Sequence, residues 1–155
     1  MADFDLKTTV SFTGHRVLRN DFNVDNLKEV INNLLIKGFR TFLVGMAMGF
    51  DLKCADVLLE KKKEFNIDVI ACIPCKNQDK FFKNEEKDRY QEYLKKVDKI
   101  VCFSDEYTNG CMQIRNRYMV DNSSVLVAYL KYFKGGALYT VNYAKKQNKE
   151  IIYID

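Results

Sequence analysis

The sequence lacks the features that would assign it at once to a membrane-bound or strongly nucleic-acid-binding class. None of its apolar runs approaches the roughly 20 residues that a membrane-spanning helix needs, so we expect no membrane partner. The net charge is only +4, which favours an anionic partner but is too small to identify one. With 155 residues, 47% of them apolar, the chain is long enough to bury one hydrophobic core.

The N-terminal stretch MADFDLKTTVSF lacks the pattern of a secretory leader. It carries acidic residues where a leader has positive charge, and it has no apolar central region. We therefore expect a cytoplasmic protein. The five cysteines agree with this expectation, because an odd number in such a chain indicates free thiols.

Histidine is scarce, and this bears on metal binding. His15 is the single histidine, and CIPC at 72–75 is the one CxxC motif. The motif could be a redox dithiol or half of a zinc site, but zinc needs a second ligand pair and His15 is far away in the sequence. Alternatively, Cys72 and Cys75 are small buried residues at a strand end, where Pro74 marks the exit. We expect no bound metal and no cofactor.

Apolar runs typical of strands alternate with helical apolar spacing along the whole chain. Strands are predicted at 7–12, 39–45, 68–73, 99–103, 124–130 and 150–154. Helices are predicted at 23–38, 51–65, 84–98, 111–123 and 135–148. No linker or internal repeat interrupts this order. The pattern predicts one α/β domain over residues 1–155, a Rossmann-like three-layer fold with a mainly parallel sheet flanked by helices.

In such sheets ligands bind outside the carboxyl ends of the strands, so the loops that follow strands are the first candidates for a site. The loop GMAMGFD follows the second strand and contains Gly45, Met46, Ala47, Gly49 and Asp51. A helix N-terminus there would suit a phosphate, and glycines would let it approach closely. The G-x-G-x-x-G spacing is absent. The alternative is a tight turn in which Asp51 caps the helix.

The loop TGHR follows the first strand and contributes Thr13, Gly14, His15 and Arg16. Arg16 could hold a phosphate or carboxylate in bidentate fashion, and Thr13 offers a hydroxyl. His15 could act as an acid, a base or a hydrogen-bonding partner near neutral pH. The alternative is a surface arginine beside a packed histidine.

Two later stretches complete the candidate site. In the helix 111–123, Arg115 and Met119 are four residues apart on one face, and Asn116 adds a polar group. Gly135 and Gly136 open the last helix, where they would form a second phosphate cradle. The alternatives are a solvated helix surface and a plain two-glycine loop.

Four stretches in order resemble the SLOG superfamily: FTGHR (12–16), GMAMGFDLKCAD (45–56), RNRYMVDNSSVLVAY (115–129) and GGALYTVNYAKK (135–146). This Rossmann-like group contains the Smf/DprA proteins and the LOG nucleotide hydrolases, and the YpsA-like branch is the most similar. The resemblance implies a single SLOG-like domain and a site for nucleotide-derived ligands such as ADP-ribose compounds. It implies that Gly14 and Arg16 lie beside the ligand and that Gly45, Ala47, Gly49 and Asp51 form the second loop. Arg115 stands at the arginine of the LOG M-x-x-R-K stretch. The phosphate-facing turn would consist of Gly135, Gly136 and Thr140.

One departure from the LOG hydrolases affects the predicted activity. They resemble P-G-G-x-G-T-x-x-E in a region where this chain has KGGALYTVN, so Lys134 replaces the proline and Asn142 stands at the glutamate. Cleavage of an N-glycosidic bond builds positive charge on the ribose, which an asparagine cannot neutralise. The leading hypothesis is therefore a protein that senses or sequesters its ligand.

Two other functions stay open at this point. One is a nucleoside-monophosphate N-glycosidase in which Asp51 or Asp121 replaces the missing glutamate, with His15 and Arg115 as further working groups. The other is single-stranded nucleic-acid binding of Smf/DprA type through YLKYFKGG (129–136), where aromatic and basic residues alternate. The chain also has eleven phenylalanines and nine tyrosines, and because aromatics are enriched at subunit interfaces we expect a homo-oligomer.

Overall fold

The computed structural model describes residues 3–155, which form one six-stranded sheet with helices on both faces. The strands are β1 (Thr9–Gly14), β2 (Thr41–Val44), β3 (Asp68–Ile73), β4 (Lys99–Cys102), β5 (Val125–Tyr129) and β6 (Glu150–Tyr153). The helices are α1 (Val24–Ile36), α2 (Phe50–Lys61), α3 (Asn84–Lys96), α4 (Cys111–Asp121) and α5 (Gly135–Lys146). This three-layer arrangement confirms the predicted fold class.

All neighbouring strands of the sheet pair in parallel, in the order β4-β3-β2-β1-β5-β6. The chain moves outward from β1 to β4 and then returns to place β5 on the other side of β1. The direction of winding therefore reverses between β1 and β5. The register pairs Gly14 with Tyr129 at the carboxyl ends of these two strands, so the loops that follow them start side by side.

The core lies on both faces of the sheet. Val10 and Phe12 of β1 pack with α1 and α2 in the larger cluster, while Leu126 and Ala128 of β5 pack with α5 on the opposite face. Alternate residues of a strand point to opposite faces, so the continuous apolar strands serve both layers. No helix within residues 3–155 is both long and apolar enough to cross a membrane.

The predicted elements are all present, and their ends differ by a few residues. The first strand begins at Thr9 rather than at residue 7, because Leu6–Thr8 forms a short 3-10 turn. Asp5 caps this turn, since its carboxylate accepts a hydrogen bond of 3.1 Å from the backbone N–H of Lys7. The helix predicted at 51–65 ends at Lys61, and turns follow it.

Candidate functional site

A cavity of about 460 Å³ lies at the carboxyl edge of the sheet, where the winding reverses between β1 and β5. We call it the switch-point cavity. Its volume falls within the range of ordinary small-molecule sites. Most of the residues predicted from the sequence line it: Thr13, Gly14, His15, Arg16, Ala47, Asp51, Arg115, Asn116, Gly135 and Gly136. The loops after β1, β2 and β5 therefore meet at one site, together with α4.

The remaining predicted residues do not line this cavity: Gly45, Met46, Gly49, Met119 and Thr140. Met46 is fully buried in the larger core cluster, and Met119 packs against Leu43 and Ile70 on the other face. Both side chains are apolar, so burial takes them into the core rather than to the cavity wall. Thr140 is also buried, and its hydroxyl donates a hydrogen bond of 2.9 Å to the Gly136 carbonyl within α5.

Three of the predicted glycines make room for the protein's own atoms. A Cβ on Gly14 would lie 2.4 Å from the Phe50 ring. A Cβ on Gly45 would lie 2.8 Å from both Asp51 Oδ2 and Arg115 Nη1. Gly49 has φ +76° and lies against the Arg16 carbonyl, which a Cβ would approach to 2.2 Å. The sequence suggested that Gly45 and Gly49 admit a phosphate, whereas here they allow tight internal packing.

Asp51 is the one carboxylate in the cavity wall, and it is 6% exposed. Its Oδ2 accepts a hydrogen bond of 3.2 Å from the Ala47 N–H, but its Oδ1 is buried with no partner among the described residues. Burial raises the pKa of Asp51 to about 6, although Arg115, the Ala47 N–H and Arg16 oppose this rise. A buried, unpartnered carboxylate oxygen is costly, and a hydroxyl group of a ligand would satisfy it.

Arg115 is 3% exposed and binds the backbone beneath the cavity floor through hydrogen bonds of its guanidinium group. Its Nη1 donates to the carbonyl oxygens of Gly45 at 2.5 Å, directly after β2, and of Cys72 at 3.1 Å, one residue before β3 ends at Ile73. Its Nε donates to Asn116 Oδ1 at 2.7 Å. Burial lowers the pKa of Arg115, and the negative charge of Asp51 opposes this change. Most of its donors are thus committed to holding the loops, and only part of the guanidinium is available to a ligand.

His15 holds the loop after β5 in place. Its Nε2 accepts hydrogen bonds from the backbone N–H groups of Lys131 at 2.8 Å and Tyr132 at 3.0 Å. An imidazole nitrogen that accepts hydrogen bonds is unprotonated, so the ring is neutral with its hydrogen on Nδ1. Burial lowers the pKa of His15, which favours the same neutral form. His15 is therefore a positioning residue for the loop that carries Gly135 and Gly136.

The N-termini of α2 and α5 offer different environments to an anion. At α2, the Gly49 N–H already donates to the Glu86 carboxylate at 3.1 Å, and Asp51 lies in the first turn. At α5, no side chain among the described residues caps the helix, and apart from the adjoining residues and the helix's own backbone none of their atoms lies within 4 Å of a Cβ built on Gly135 or Gly136. The first N–H groups of a helix need partners and attract negative charge. Of these two helix N-termini, the one at α5 therefore keeps N–H groups open to an anion.

Sequence reasoning did not assign six residues of the cavity wall to this site: Phe12, Val17, Met112, Tyr132, Lys134 and Ala137. Lys134 precedes the glycine pair and stands at the proline position of the LOG pattern, and the sequence suggested it, with Tyr132, for nucleic-acid binding. Met112 lies three and four residues before Arg115 and Asn116 on α4. That helical spacing places Met112 on the same face of α4 as Arg115 and Asn116. This spacing could have identified Met112 as a site residue from the sequence.

The other carboxylate proposed for hydrolysis lies away from the cavity. Asp121 is exposed, and its Oδ1 accepts a hydrogen bond of 2.7 Å from the Tyr143 hydroxyl. Asn142, which stands at the glutamate position of the LOG pattern, is an exposed residue of α5 and does not line the cavity either. Among the described residues, Asp51 is therefore the one carboxylate in the cavity wall that could neutralise charge on a sugar.

The CIPC motif has a structural explanation. Cys72 is fully buried in the sheet beside Leu43 and Met119, and burial raises the pKa of its thiol to about 12. Cys75 is also buried, and both thiols are free. Reactive cysteines are thiolates at neutral pH, so these values favour small core residues over a redox dithiol.

The sequence also matches a family of known proteins. A family model described as the YspA SLOG family, named YpsA, matches residues 19–155. The chain belongs to the YpsA SLOG family. It is 34% identical over 136 residues to the uncharacterized SPbeta prophage-derived protein YoqJ of Bacillus subtilis (strain 168), an alignment that covers 79% of this chain and 80% of YoqJ. This result confirms the SLOG resemblance of the four motifs.

Two solved structures share the fold of this SLOG protein. DNA processing protein A (DprA) of Streptococcus pneumoniae superposes with a TM-score of 0.71 at 17% identity, over 96% of this chain and 50% of that one. DprA of Helicobacter pylori, described for its single-stranded DNA binding mode, gives a TM-score of 0.69 at 19% identity, over 97% of this chain and 68% of that one. The chain thus spans half the length of the pneumococcal protein.

Proposed function

We propose that this SLOG protein binds a phosphate-bearing, nucleotide-derived ligand in the switch-point cavity and holds it without turnover, as a sensor or a sequestering protein. ADP-ribose and related compounds are members of this ligand class. The observation that carries the proposal is the uncapped N-terminus of α5, where Gly135 and Gly136 leave open space beside Lys134 and Arg16.

Charge and hydrogen bonding support a sugar phosphate in this cavity. The phosphate would accept hydrogen bonds from the first N–H groups of α5, with Arg16 and Lys134 as its cationic partners. A ribose hydroxyl would satisfy the buried Oδ1 of Asp51, which has no protein partner among the described residues. The cavity therefore offers Arg16 and Lys134 to the phosphate and the buried carboxylate of Asp51 to the sugar.

The test is thermal unfolding in the presence of nucleoside monophosphates, NAD and ADP-ribose, followed by calorimetric titration of each ligand that stabilises the protein. A ligand that binds only the folded state raises its apparent stability by mass action. We expect each ligand that binds to be recovered unchanged by chromatography. Lys134→Ala should weaken the binding of that ligand more than Lys149→Ala does, which is a matched change outside the cavity. The absence of binding by any compound at millimolar concentration would overturn the proposal.

A second candidate function is N-glycosidase activity, and Asp51 is the observation that favours it. A carboxyl with a pKa of about 6 at the wall of a sugar-phosphate cavity could stabilise charge on the ribose or move a proton near neutral pH. Incubation with nucleoside monophosphates should then release free base and ribose 5-phosphate. Asp51→Asn should abolish the release, whereas intact nucleotide after prolonged incubation would exclude this activity.

A third candidate is single-stranded DNA binding, which the Helicobacter pylori DprA structure describes for that protein. The loop after β5 exposes Phe133 at 84% between Tyr132 and Lys134, and stacking aromatics beside cations are typical of such surfaces. A gel-shift titration with an oligonucleotide at low salt would detect this interaction. An unshifted oligonucleotide would exclude it.

Homo-oligomer formation and a cytoplasmic location stay predictions. Large exposed aromatics such as Tyr139, Phe133 and Tyr153 could cover a subunit interface. A light-scattering mass equal to one chain would contradict the oligomer, and fractionation of the host cell would test the location.

A further inference from the structure

A second cavity of about 310 Å³ adjoins the switch-point cavity. We call it the aromatic chamber, and its characteristic residues are Pro74, Gln78, Phe81, Phe82 and Tyr107. The loops after β3 and β4 supply these residues, so the chamber lies further along the same edge of the sheet. The two cavities share Arg16, Ala47 and Met112 as common wall. The two cavities therefore meet at these three residues.

Two aromatic side chains at this chamber are exposed to solvent. Phe81 is 84% exposed and Tyr107 is 62% exposed. Phe82, in contrast, packs edge-on against the buried Tyr90 at 5.3 Å, so it is a fixed part of the wall. Exposed aromatic rings at the mouth of an apolar cavity indicate a binding surface, because covering them with a flat ligand removes apolar area from water.

The rest of the chamber is firmly built. The Gln78 amide is held at both ends, since its Nε2 donates to the Gly45 carbonyl at 3.1 Å and its Oε1 accepts from the Tyr90 hydroxyl at 3.4 Å. Met112 adds a polarizable thioether, which packs well against aromatic rings. No carboxylate is among the described residues that line the chamber. Its apolar, aromatic character suits a base, whereas the phosphate position lies at α5.

We infer that the aromatic chamber is the base-binding half of one continuous site. The ligand is then a nucleotide whose base stacks on Phe81 and Tyr107, whose ribose passes Asp51 and Arg16, and whose phosphate lies at Gly135 and Gly136. This inference rests on the proposed function and extends it, because a phosphate and a sugar alone do not use the chamber. The base is a requirement for tight binding, and the chamber determines which nucleotides are accepted.

The experiment compares ribose 5-phosphate with adenosine 5′-monophosphate by calorimetric titration of the full chain. We expect the nucleotide to bind at least about tenfold tighter, since stacking of one base on aromatic side chains contributes on the order of 1–3 kcal/mol. The double variant Phe81→Ala/Tyr107→Ala should lose this tenfold margin while its affinity for ribose 5-phosphate stays unchanged. Both side chains are exposed, so the variant is expected to fold normally.

Tyr153→Ala is the matched control, because Tyr153 is a half-exposed aromatic on β6, at the other edge of the sheet from the chamber. The Tyr153→Ala protein should keep the full tenfold difference in affinity between the nucleotide and ribose 5-phosphate. Equal affinity for the two ligands, or an unchanged margin in the double variant, would overturn the base site and leave the proposed function standing. Failure of both ligands to bind would overturn the proposed function, and the inference with it.

Discussion

The guanidinium group of Arg115 donates a hydrogen bond of 2.5 Å to the carbonyl oxygen of Gly45, and this contact joins α4 to the end of β2. The same nitrogen reaches the Cys72 carbonyl at the end of β3. A cation that was predicted to face a ligand thus also fixes the carboxyl edge of the sheet. The site and the fold share this side chain, so their contributions must be separated by experiment.

Arg115→Ala should lower the free energy of unfolding by about 3 kcal/mol, because it removes buried hydrogen bonds to the Cys72 and Gly45 carbonyls, leaving Gln78 as the side-chain donor to Gly45, and opens a cavity. Urea denaturation monitored by circular dichroism measures this change. Arg117→Ala is the control, since its hydrogen bond to the Tyr139 hydroxyl is exposed, and it should change stability by no more than about 0.5 kcal/mol. Equal effects of the two substitutions would contradict the structural role of Arg115.

Gly14→Ala and Gly136→Ala should have opposite effects on stability. The new methyl on residue 14 would meet the ring of Phe50, which is itself stacked on Tyr129 at 5.6 Å, so we expect a loss of about 1–3 kcal/mol. The new methyl on residue 136 meets no atom within 4 Å and lies in a helix, so stability should hold or rise by about 0.5 kcal/mol.

Thermal unfolding of the two variants tests these signs, and titration with inorganic phosphate completes the comparison. Gly136→Ala should weaken phosphate binding, because the added methyl group occupies space that the anion would use. A Gly136→Ala protein that binds phosphate as the wild type does would place the anion elsewhere in the cavity.

Asp51 should make the protein less stable as the pH rises from about 4 to about 6. Its pKa is about 6 in the folded chain and 3.8 as the ordinary value, so in this range the folded state binds more protons than the unfolded state. Stability falls with rising pH wherever the folded state holds the extra proton, and it levels off above the folded pKa. Asp51→Asn removes this dependence.

The measurement is the difference in unfolding free energy between Asp51→Asn and wild type, taken from urea curves at several pH values. The unfolding free energy of the variant minus that of wild type should be smallest near pH 4. Above about pH 7 this difference should be about 1–3 kcal/mol larger, with the variant gaining relative to wild type. Asp121→Asn, a change at an exposed carboxylate outside the cavity, is the matched control. A flat difference for Asp51→Asn would mean that folding does not raise the pKa of this carboxyl.

His15→Ala should loosen the loop that precedes α5, because the backbone N–H groups of Lys131 and Tyr132 lose their common acceptor. We expect faster hydrogen exchange at these two amides and about tenfold weaker ligand binding. His15→Gln supplies a new acceptor, so it should recover part of the protection of the two amides and part of the ligand affinity. Unchanged exchange in His15→Ala would show that the loop is held by other contacts.

The pH dependence of this contact has the opposite sign to that of Asp51. Burial lowers the pKa of His15 below its ordinary 6.5, so the unfolded state binds the proton more readily. The stability that the neutral ring contributes is present above pH 6.5 and is lost as the pH falls through the lowered folded value. Acidification of wild type should therefore lower the protection factor at Lys131, which is the exchange rate of an unfolded peptide divided by that of the protein at the same pH, and the protection factor in His15→Gln should not respond.

Much of the fold could be predicted because it depends on local pattern. The strand predicted at 68–73 is β3 with the same bounds, and its run DVIACI is apolar enough to be buried on both faces. The helix predicted at 84–98 differs from α3 by two residues at its end, where helix ends are least determined by sequence. The loops that carry the site follow directly from these elements.

The candidate site was predictable where a loop position alone decides the geometry, as for His15, Arg16 and Gly136. It was not predictable where long-range packing decides. Met119 has the helical spacing of a site residue relative to Arg115, yet the sheet behind it supplies an apolar environment and buries it. Phe81 and Tyr107 come from loops that are separated in sequence, and only the order of the strands brings them to one chamber.

The sequence by itself determined the alternation of strands and helices, the single α/β domain and the loops where a ligand would lie, because hydrophobic periodicity and glycine placement act over a few neighbouring residues. The tertiary structure alone decided which atoms fill the space beside each glycine. Gly45 accommodates Arg115, from a helix seventy residues further along the chain, while Gly136 faces open space. Such contacts depend on strand order and helix packing, which bring distant residues together and leave no local pattern in the sequence.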